Sequence, residues 1–481
     1  MSVSVPAVSA VSSAHRAGGD RISSREIWSL VWPQALMMLL QFLVGFTDVF
    51  VAGRINPHLQ GALGIITQCQ FLLLVLGMAV VNGGLAAMSQ SLGARLPLRA
   101  LRYVGLLFKL SAFFCAITLS FGLVFRRQML EALGVPEEIF PLTLDLWVLY
   151  LGIMPASYLN FTTMAIFRAY KNVRVPMASS AAVCAVNAIG DFGLGLGRFG
   201  MPDWGGQGVI WASIISVTVG ALFNLAVLLR KKILTRKSFA PWQWEKRAVP
   251  YIVRVAVPAG GSQFLWQLGY MALLLITNTL PSDSVSATAG LTAGMRVEAL
   301  LFLPALAFSF TGSILVGHCL GAGNRNEARR IGLRMVKAGT VSMTIVALAL
   351  LPFVHTIAAF VSPGSAAVQE AAASYMMYNF VATPCTVTSM IMSGIFSGAG
   401  ATRFSLIAFS CGTWLLRLPL AWFMGHIAWR SAAGVFLAMP VSQFAQASLC
   451  MYLFLYRDWY RFASTAKRFS RATSTVPPGE E

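Results

Sequence analysis

The chain has 481 residues, 57% of them hydrophobic and only 11% charged, with a mean hydropathy of +0.70. Soluble proteins carry about 25% charged residues, so water cannot be the solvent for this much apolar surface and the bilayer must be. The formal net charge of +19 does not point to a nucleic-acid binder, because the basic residues lie in alternate loops between apolar runs rather than on one soluble domain.

Residues 1–27 are polar and Ser/Ala-rich, which predicts a disordered cytoplasmic tail without a cleavable signal peptide. Apolar runs of about 20 residues then predict an all-α membrane protein of twelve transmembrane helices. They are placed over 28–53, 61–92, 100–125, 139–168, 175–197, 206–229, 249–279, 287–318, 327–354, 366–396, 402–425 and 430–456. The first run, PQALMMLLQFLVGFTDVFVAG from Pro33 to Gly53, contains Asp48. A carboxylate at membrane depth is costly and by default marks a functional site.

Lys and Arg set the orientation. One set of loops holds Arg16, Arg21 and Arg25, then Arg95, Arg99 and Arg102, then Arg168, Lys171 and Arg174. It continues through Arg230–Arg247, Arg325–Arg334 and the tail from Arg457 to Arg471, whereas the opposite loops hold little beyond Arg54, Arg126, Arg127, Arg198 and Arg430. Both termini are therefore predicted to be cytoplasmic, as an even helix count requires. The stretch RKKILTRKSFAPWQWEKR, from Arg230 to Arg247, is the longest polar break. It reads as a cytoplasmic linker over 230–248, between an N-lobe (28–229) and a C-lobe (249–456), with a second cytoplasmic tail over 457–481.

The two halves resemble each other. Pro33 matches Pro258 at an offset of 225, Gly93 matches Gly321 at 228, and Phe167 and Arg174 match Phe396 and Arg403 at 229. Six helices per half insert the same way up, so the lobes are expected to be related by a pseudo-twofold axis along the membrane normal. That arrangement suits alternating access to a site near the midplane.

Most of the seventeen acids lie in loops and tails. Within the predicted spans are Asp48, Asp145, Asp191 and Glu298, with Glu370 near a helix end. Counted from the cytoplasmic ends, Asp48 is about 20 residues and Asp191 about 16 residues into their helices, roughly 30 and 24 Å. Ser213 lies about 7 residues below the outer end of helix 6, so all three reach the outer half of the N-lobe. Asn187 stands one turn from Asp191 on the same face. Two carboxylates, an amide and a hydroxyl at one depth suit a proton or a sodium ion: neighbouring carboxylates repel unless a positive charge comes between them, and oxygens are the ligands a hard cation takes. The plainer alternative is that each acid pairs with a buried Arg or caps a broken helix.

Glu298 follows Arg296, which is compatible with an interfacial ion pair or with a cavity-wall carboxylate that attracts cations. Asp145 reads as solvated at the interface, and Arg417 as snorkelling or ion-paired. The 21 methionines read mainly as packing, though some suit an adaptable binding wall. GLGLGRFG, from Gly193 to Gly200, follows no strand and is not a dinucleotide loop. No Walker A sequence, H-E-x-x-H or Ser-His-Asp arrangement occurs. The seven scattered cysteines make neither a disulfide framework nor a zinc site, so the chain is expected to be no enzyme and to hold no cofactor.

Several of these segments together resemble the multidrug and toxic compound extrusion (MATE) transporters over roughly residues 28–456. They are Pro33 with Asp48 and Gly53, the GAR segment after helix 2, Arg174–Pro176, Asn187–Asp191, Gly208–Ser213 and RLPLAW in helix 11. The resemblance implies secondary efflux of cationic or amphipathic compounds driven by H+ or Na+. It assigns cation coupling to Asp48, Asn187, Asp191 and Ser213, with Asp48, Asn187 and Asp191 holding Na+ if sodium is the ion.

Some members instead carry acids in helices 7 and 10. Here helix 7 reads SQFLWQLGY, with Gln263, Trp266 and Gln267 but no acid, and Thr386 stands near the other position. This pattern favours the N-lobe site, as in the DinF-like branch, and assigns Glu298, Gln263, Trp266 and Gln267 to the substrate cavity. The expected partners are small-molecule substrates and the lipid bilayer, with no nucleic acid and no second chain: a monomer in a cell membrane, the bacterial inner membrane.

Two other carriers share parts of this pattern. A major-facilitator carrier has an acid in the loop after helix 2, where this chain reads GARLPLRA. A lipid-linked oligosaccharide flippase has a cation-filled cavity and often more helices.

Overall fold

In the computed structural model, which describes residues 22–281 and 283–463, twelve long helices account for most of the chain. We label them α1 (Ser24–Ile55), α2 (Pro57–Gly93), α3 (Pro97–Val124), α4 (Phe140–Ala169), α5 (Arg174–Leu194) and α6 (Gly205–Arg230). After the polar break come α7 (Trp242–Asn278), α8 (Ser284–Gly321), α9 (Arg325–Val361), α10 (Ala366–Ala399), α11 (Thr402–Ala428) and α12 (Ala432–Tyr456). There is no strand among the described residues. Eleven of these helices are long and apolar enough to cross a membrane. The exception is α7, whose 37 residues include Glu245, Lys246, Arg247, Arg254, Gln263 and Gln267. The chain is thus an all-α, multi-pass membrane protein, because helices satisfy their own backbone groups in hydrocarbon.

Most of the two predicted tails, 1–21 and 464–481, lies outside the described residues. Within the described part, α1 begins before its apolar run. Ser23 caps it by accepting from the Glu26 backbone N–H at 3.2 Å, and the Glu26 carboxylate takes Lys171 at 2.9 Å. Helices α4 and α9 each contain one tight turn, Leu151–Ile153 and Leu351–Phe353. A proline stands at each step, Pro155 and Pro352, and lacks the N–H that continues an α-helical ladder.

The chain forms two compact units that part between Ala256 and Val257, inside α7. This division falls beyond the 230–248 segment that composition alone singles out as the linker. The reason is that the linker is packed. Ser238, in a short turn at Arg236–Ser238, passes so close to α3 that a Cβ on Gly105 would lie 2.2 Å from its carbonyl oxygen. Trp244 packs edge-on against Tyr103 at 5.1 Å. Glu245 is buried and receives Lys109 Nζ at 2.6 Å. The basic stretch is therefore packed as a strap on the first unit.

Inside the first unit, α5 and α6 approach through small residues, as membrane helices do where side chains would hold backbones apart. A Cβ on Gly190 would lie 2.7 Å from the Ala212 Cβ, and one on Gly208 would lie 2.1 Å from the Leu194 carbonyl oxygen. Ser179 Oγ donates to the Gly220 carbonyl at 3.0 Å across the same seam. The second unit repeats the device between α8 and α10. Cβ atoms on Gly394 and Gly398 would meet the Ser309 and Ser313 carbonyl oxygens at 2.2 and 2.1 Å.

Candidate functional site

The close α5–α6 seam brings Asn187 and Ser213 together, and α1 lays Asp48 against both. Asn187 Nδ2 donates to Asp48 Oδ1 at 3.0 Å and lies 3.3 Å from Ser213 Oγ, which in turn donates to Asp48 Oδ2 at 3.1 Å. Asp48 thus has a donor on each oxygen. Asp191, one turn along α5, lies within hydrogen-bonding reach of Asp48 and is fully buried. Neither of its carboxylate oxygens has a donor among the described residues, and Asn187 Oδ1 is also without one. The four residues singled out by depth and spacing are therefore one contiguous cluster.

Electrostatically the cluster is unbalanced. It holds two carboxylates in a buried setting, and no described basic side chain makes an ion pair with either. A buried carboxylate without compensation is costly. Neutral donors already serve Asp48, but nothing serves Asp191. Three acceptors without donors — both Asp191 oxygens and Asn187 Oδ1 — are what a proton or a hard cation would take up. The alternatives of a buried Arg partner or a broken-helix cap fit neither acid, since α1 and α5 run unbroken through both positions.

The sequence reading missed Tyr150 and Thr67. Tyr150, buried on α4, lies within electrostatic range of both acids and within hydrogen-bonding reach of Thr67 on α2. Tyr150 belongs to the same buried apolar cluster as Val51, Trp147, Val209 and Ile210, and Trp147 Nε1 fixes the α4 face by donating to the Gly122 carbonyl at 3.0 Å. A tyrosine in an apolar run looks like ordinary packing until the two acids are seen near it.

Of the residues assigned to a substrate cavity, Gln263, Trp266 and Gln267 lie partly exposed along α7. Glu298 differs from expectation. It is not solvated at the interface but only 6% exposed, and it bonds to no arginine at its own helix end. Tyr270 donates to its Oε1 at 3.5 Å and Tyr375 to its Oε2, while Trp266 packs on Tyr270 at 4.6 Å. Arg417 does not snorkel either; it is 2% exposed. Asp145 is exposed, as its interfacial position predicts, and so is Glu370.

Ser213→Ala removes one neutral donor to Asp48 and leaves both charges, so a net loss of about 1 kcal/mol in the site is expected. That corresponds to export falling roughly 5-fold, not to zero, in an efflux assay. Complete loss would mean that Ser213 is an indispensable ligand rather than a support.

The family model described as MatE matches residues 33–192 and 258–423, one segment in each half. Among curated proteins, the chain is 24% identical over 455 residues to a probable multidrug resistance protein NorM of Thermotoga maritima, covering 91% of this chain and 94% of the relative. It is 27% identical over 427 residues to the multidrug resistance protein PmpM of Pseudomonas aeruginosa, covering 85% of each. Among solved structures, a MOP superfamily transporter from Pyrococcus furiosus superposes with a TM-score of 0.83 at 19% identity over 91% of this chain and 96% of that one. The Vibrio cholerae MATE transporter VcmN in its bent form gives 0.82 at 18% over 91% and 97%. These likenesses concern the fold, a twelve-helix arrangement in two lobes.

Proposed function

The chain belongs to the MatE family, which makes it a membrane transporter of small molecules and not an enzyme, and from that premise we propose that it exports cationic or amphipathic compounds in exchange for H+ or Na+. The Asp48–Asn187–Asp191–Ser213 cluster is the coupling site in this reading. The observation that carries it is the uncompensated second carboxylate: Asp191 has no donor on either oxygen beside an Asp48 whose donors are all neutral. A positive ion entering there neutralises buried charge, and its departure restores the cost. An ion whose affinity differs between inward-open and outward-open shapes shifts the balance between them by that difference.

The curated relatives named for multidrug resistance support drug export as the activity. The absence of an acid in the Gln263–Gln267 stretch of α7 supports the first-unit site, the pattern of the DinF-like branch. The basic loops support a bacterial inner-membrane location with both termini in the cytoplasm.

The experiment is transport by purified protein in proteoliposomes under one imposed gradient at a time. Ethidium export should follow either a proton gradient or a sodium gradient, and Asp191→Asn should remove the response. Export that ignores both gradients would end the antiport reading.

A further inference from the structure

The second unit holds a buried acid of its own on α8, Glu298, and its surroundings differ from those of the first-unit pair in one respect: a positive charge is covalently present. Glu298 on α8 has a phenol on each oxygen, Tyr270 from α7 and Tyr375 from α10. On the other side of Tyr270 stands Arg417, its guanidinium carbon 5.8 Å from the ring centroid and its head within hydrogen-bonding reach of the Tyr270 hydroxyl. Arg417 Nε also donates to Ser442 Oγ on α12 at 2.9 Å.

An arginine rarely points into a membrane bundle, and here α11 is bent to the purpose. Cys411–Arg417 is wound as a π-helix, the one-residue bulge that recurs at functional sites. It turns Gly412, Thr413 and Arg417 inward while Leu415 stays 74% exposed. Gly412 leaves room for Gln446, which a Cβ there would meet at 3.0 Å.

Resting on the coupling site assigned above, we propose that Arg417 is the built-in counter-ion of Glu298, linked to it through Tyr270, so that the second unit needs no mobile cation and ion exchange is confined to Asp48 and Asp191. The charge count supports this. The first-unit cluster holds two carboxyl groups and no described cation, and neither oxygen of Asp191 has a donor. The second-unit cluster holds one carboxyl group and one guanidinium, and each oxygen of Glu298 takes a phenol. A sodium ion entering it would bring an excess positive charge into a low-dielectric interior. Arg417 thus decides how many ions one transport cycle moves.

The test uses purified full-length protein and its thermal unfolding midpoint. Arg417→Ala should lower the midpoint by several degrees, and millimolar guanidinium chloride should recover part of the loss saturably, with no such gain in wild type. Glu298→Gln added to Arg417→Ala should restore part of the loss and abolish the guanidinium response. If neither single variant yields a folded peak on size exclusion, a folded double variant is the same result, and a double variant as unfolded as the singles overturns the pairing. Losses that simply add, with no guanidinium response, also overturn it.

The confinement to the first unit is read separately. With Arg417 intact, Asp48→Asn/Asp191→Asn protein should show no sodium-dependent shift in midpoint. A shift that Glu298→Gln removes would refute the proposal. Failure of the coupling site itself would appear elsewhere, as export unaffected by Asp48→Asn, and would leave the guanidinium result standing.

Discussion

Asp48→Asn is expected to abolish export, seen as ethidium accumulating in cells that express the variant to the level of cells with no transporter, while the protein remains folded in the membrane. The substitution is nearly isosteric. The new side chain keeps one oxygen to accept from Asn187, and its amide nitrogen faces Ser213 Oγ, whose hydroxyl can rotate to accept. Since the two present bonds are 3.0 and 3.1 Å, the packing cost is that of altering one hydrogen bond, about 1 kcal/mol. What changes is charge. With two carboxylates, the affinity for a positive ion depends on how far α1 holds Asp48 from Asp191, so any bending of α1 changes it. With one carboxylate that dependence vanishes, and a ligand bound equally by two shapes shifts neither. Transport therefore fails although binding to Asp191 persists. Unchanged export would remove Asp48 from the mechanism.

The grouping of Asp48, Asn187, Asp191 and Ser213 was legible in the sequence because a helix converts residue count into depth at 1.5 Å per residue. Asp48, Asp191 and Ser213 stand on three different helices, yet counting from each cytoplasmic or outer end puts them at one level, and Asn187 follows from its i,i+4 spacing to Asp191. Depth carries no information about which faces meet. Glu298 and Arg417 lie on α8 and α11, and their link passes through a tyrosine on α7; no spacing within one helix encodes it. The π-helical turn also defeats the count, since it shifts the face of every later residue in α11. Tyr150 was invisible for a different reason: a phenol in an apolar run is ordinary packing in composition. In the 230–248 stretch charge dominates the composition and hides the packing. The apolar residues between its charges, Phe239, Trp242 and Trp244, gave the only sign that it packs, and Trp244 is the one seated on Tyr103.

The twelve helices themselves were readable from apolar length, but the distance between them was not, and that distance is where the second large effect lies. Gly398→Val is expected to leave little folded protein, or to lower the unfolding midpoint by about 10 °C if some survives, because overpacking against a fixed wall costs at the upper end of roughly 1–3 kcal/mol and above. The wall is backbone. A Cβ on Gly398 would sit 2.1 Å from the Ser313 carbonyl oxygen, and one turn earlier a Cβ on Gly394 would sit 2.2 Å from that of Ser309. A side chain could swing aside, whereas a carbonyl within α8 cannot move without its helix. Driving α8 and α10 apart would also break the bond from Ser309 Oγ to the Met390 carbonyl, now 2.8 Å. It would loosen Tyr375 on α10 from Glu298 on α8 as well, so a packing fault at one end of the seam reaches the buried charge cluster along the same two helices. Gly45→Ala on α1 is the control, since nothing lies within 4 Å of a Cβ there, and its midpoint should match wild type. A Gly398→Val protein that unfolds with the Gly45→Ala variant would mean that the α8–α10 seam is not held by close backbone approach.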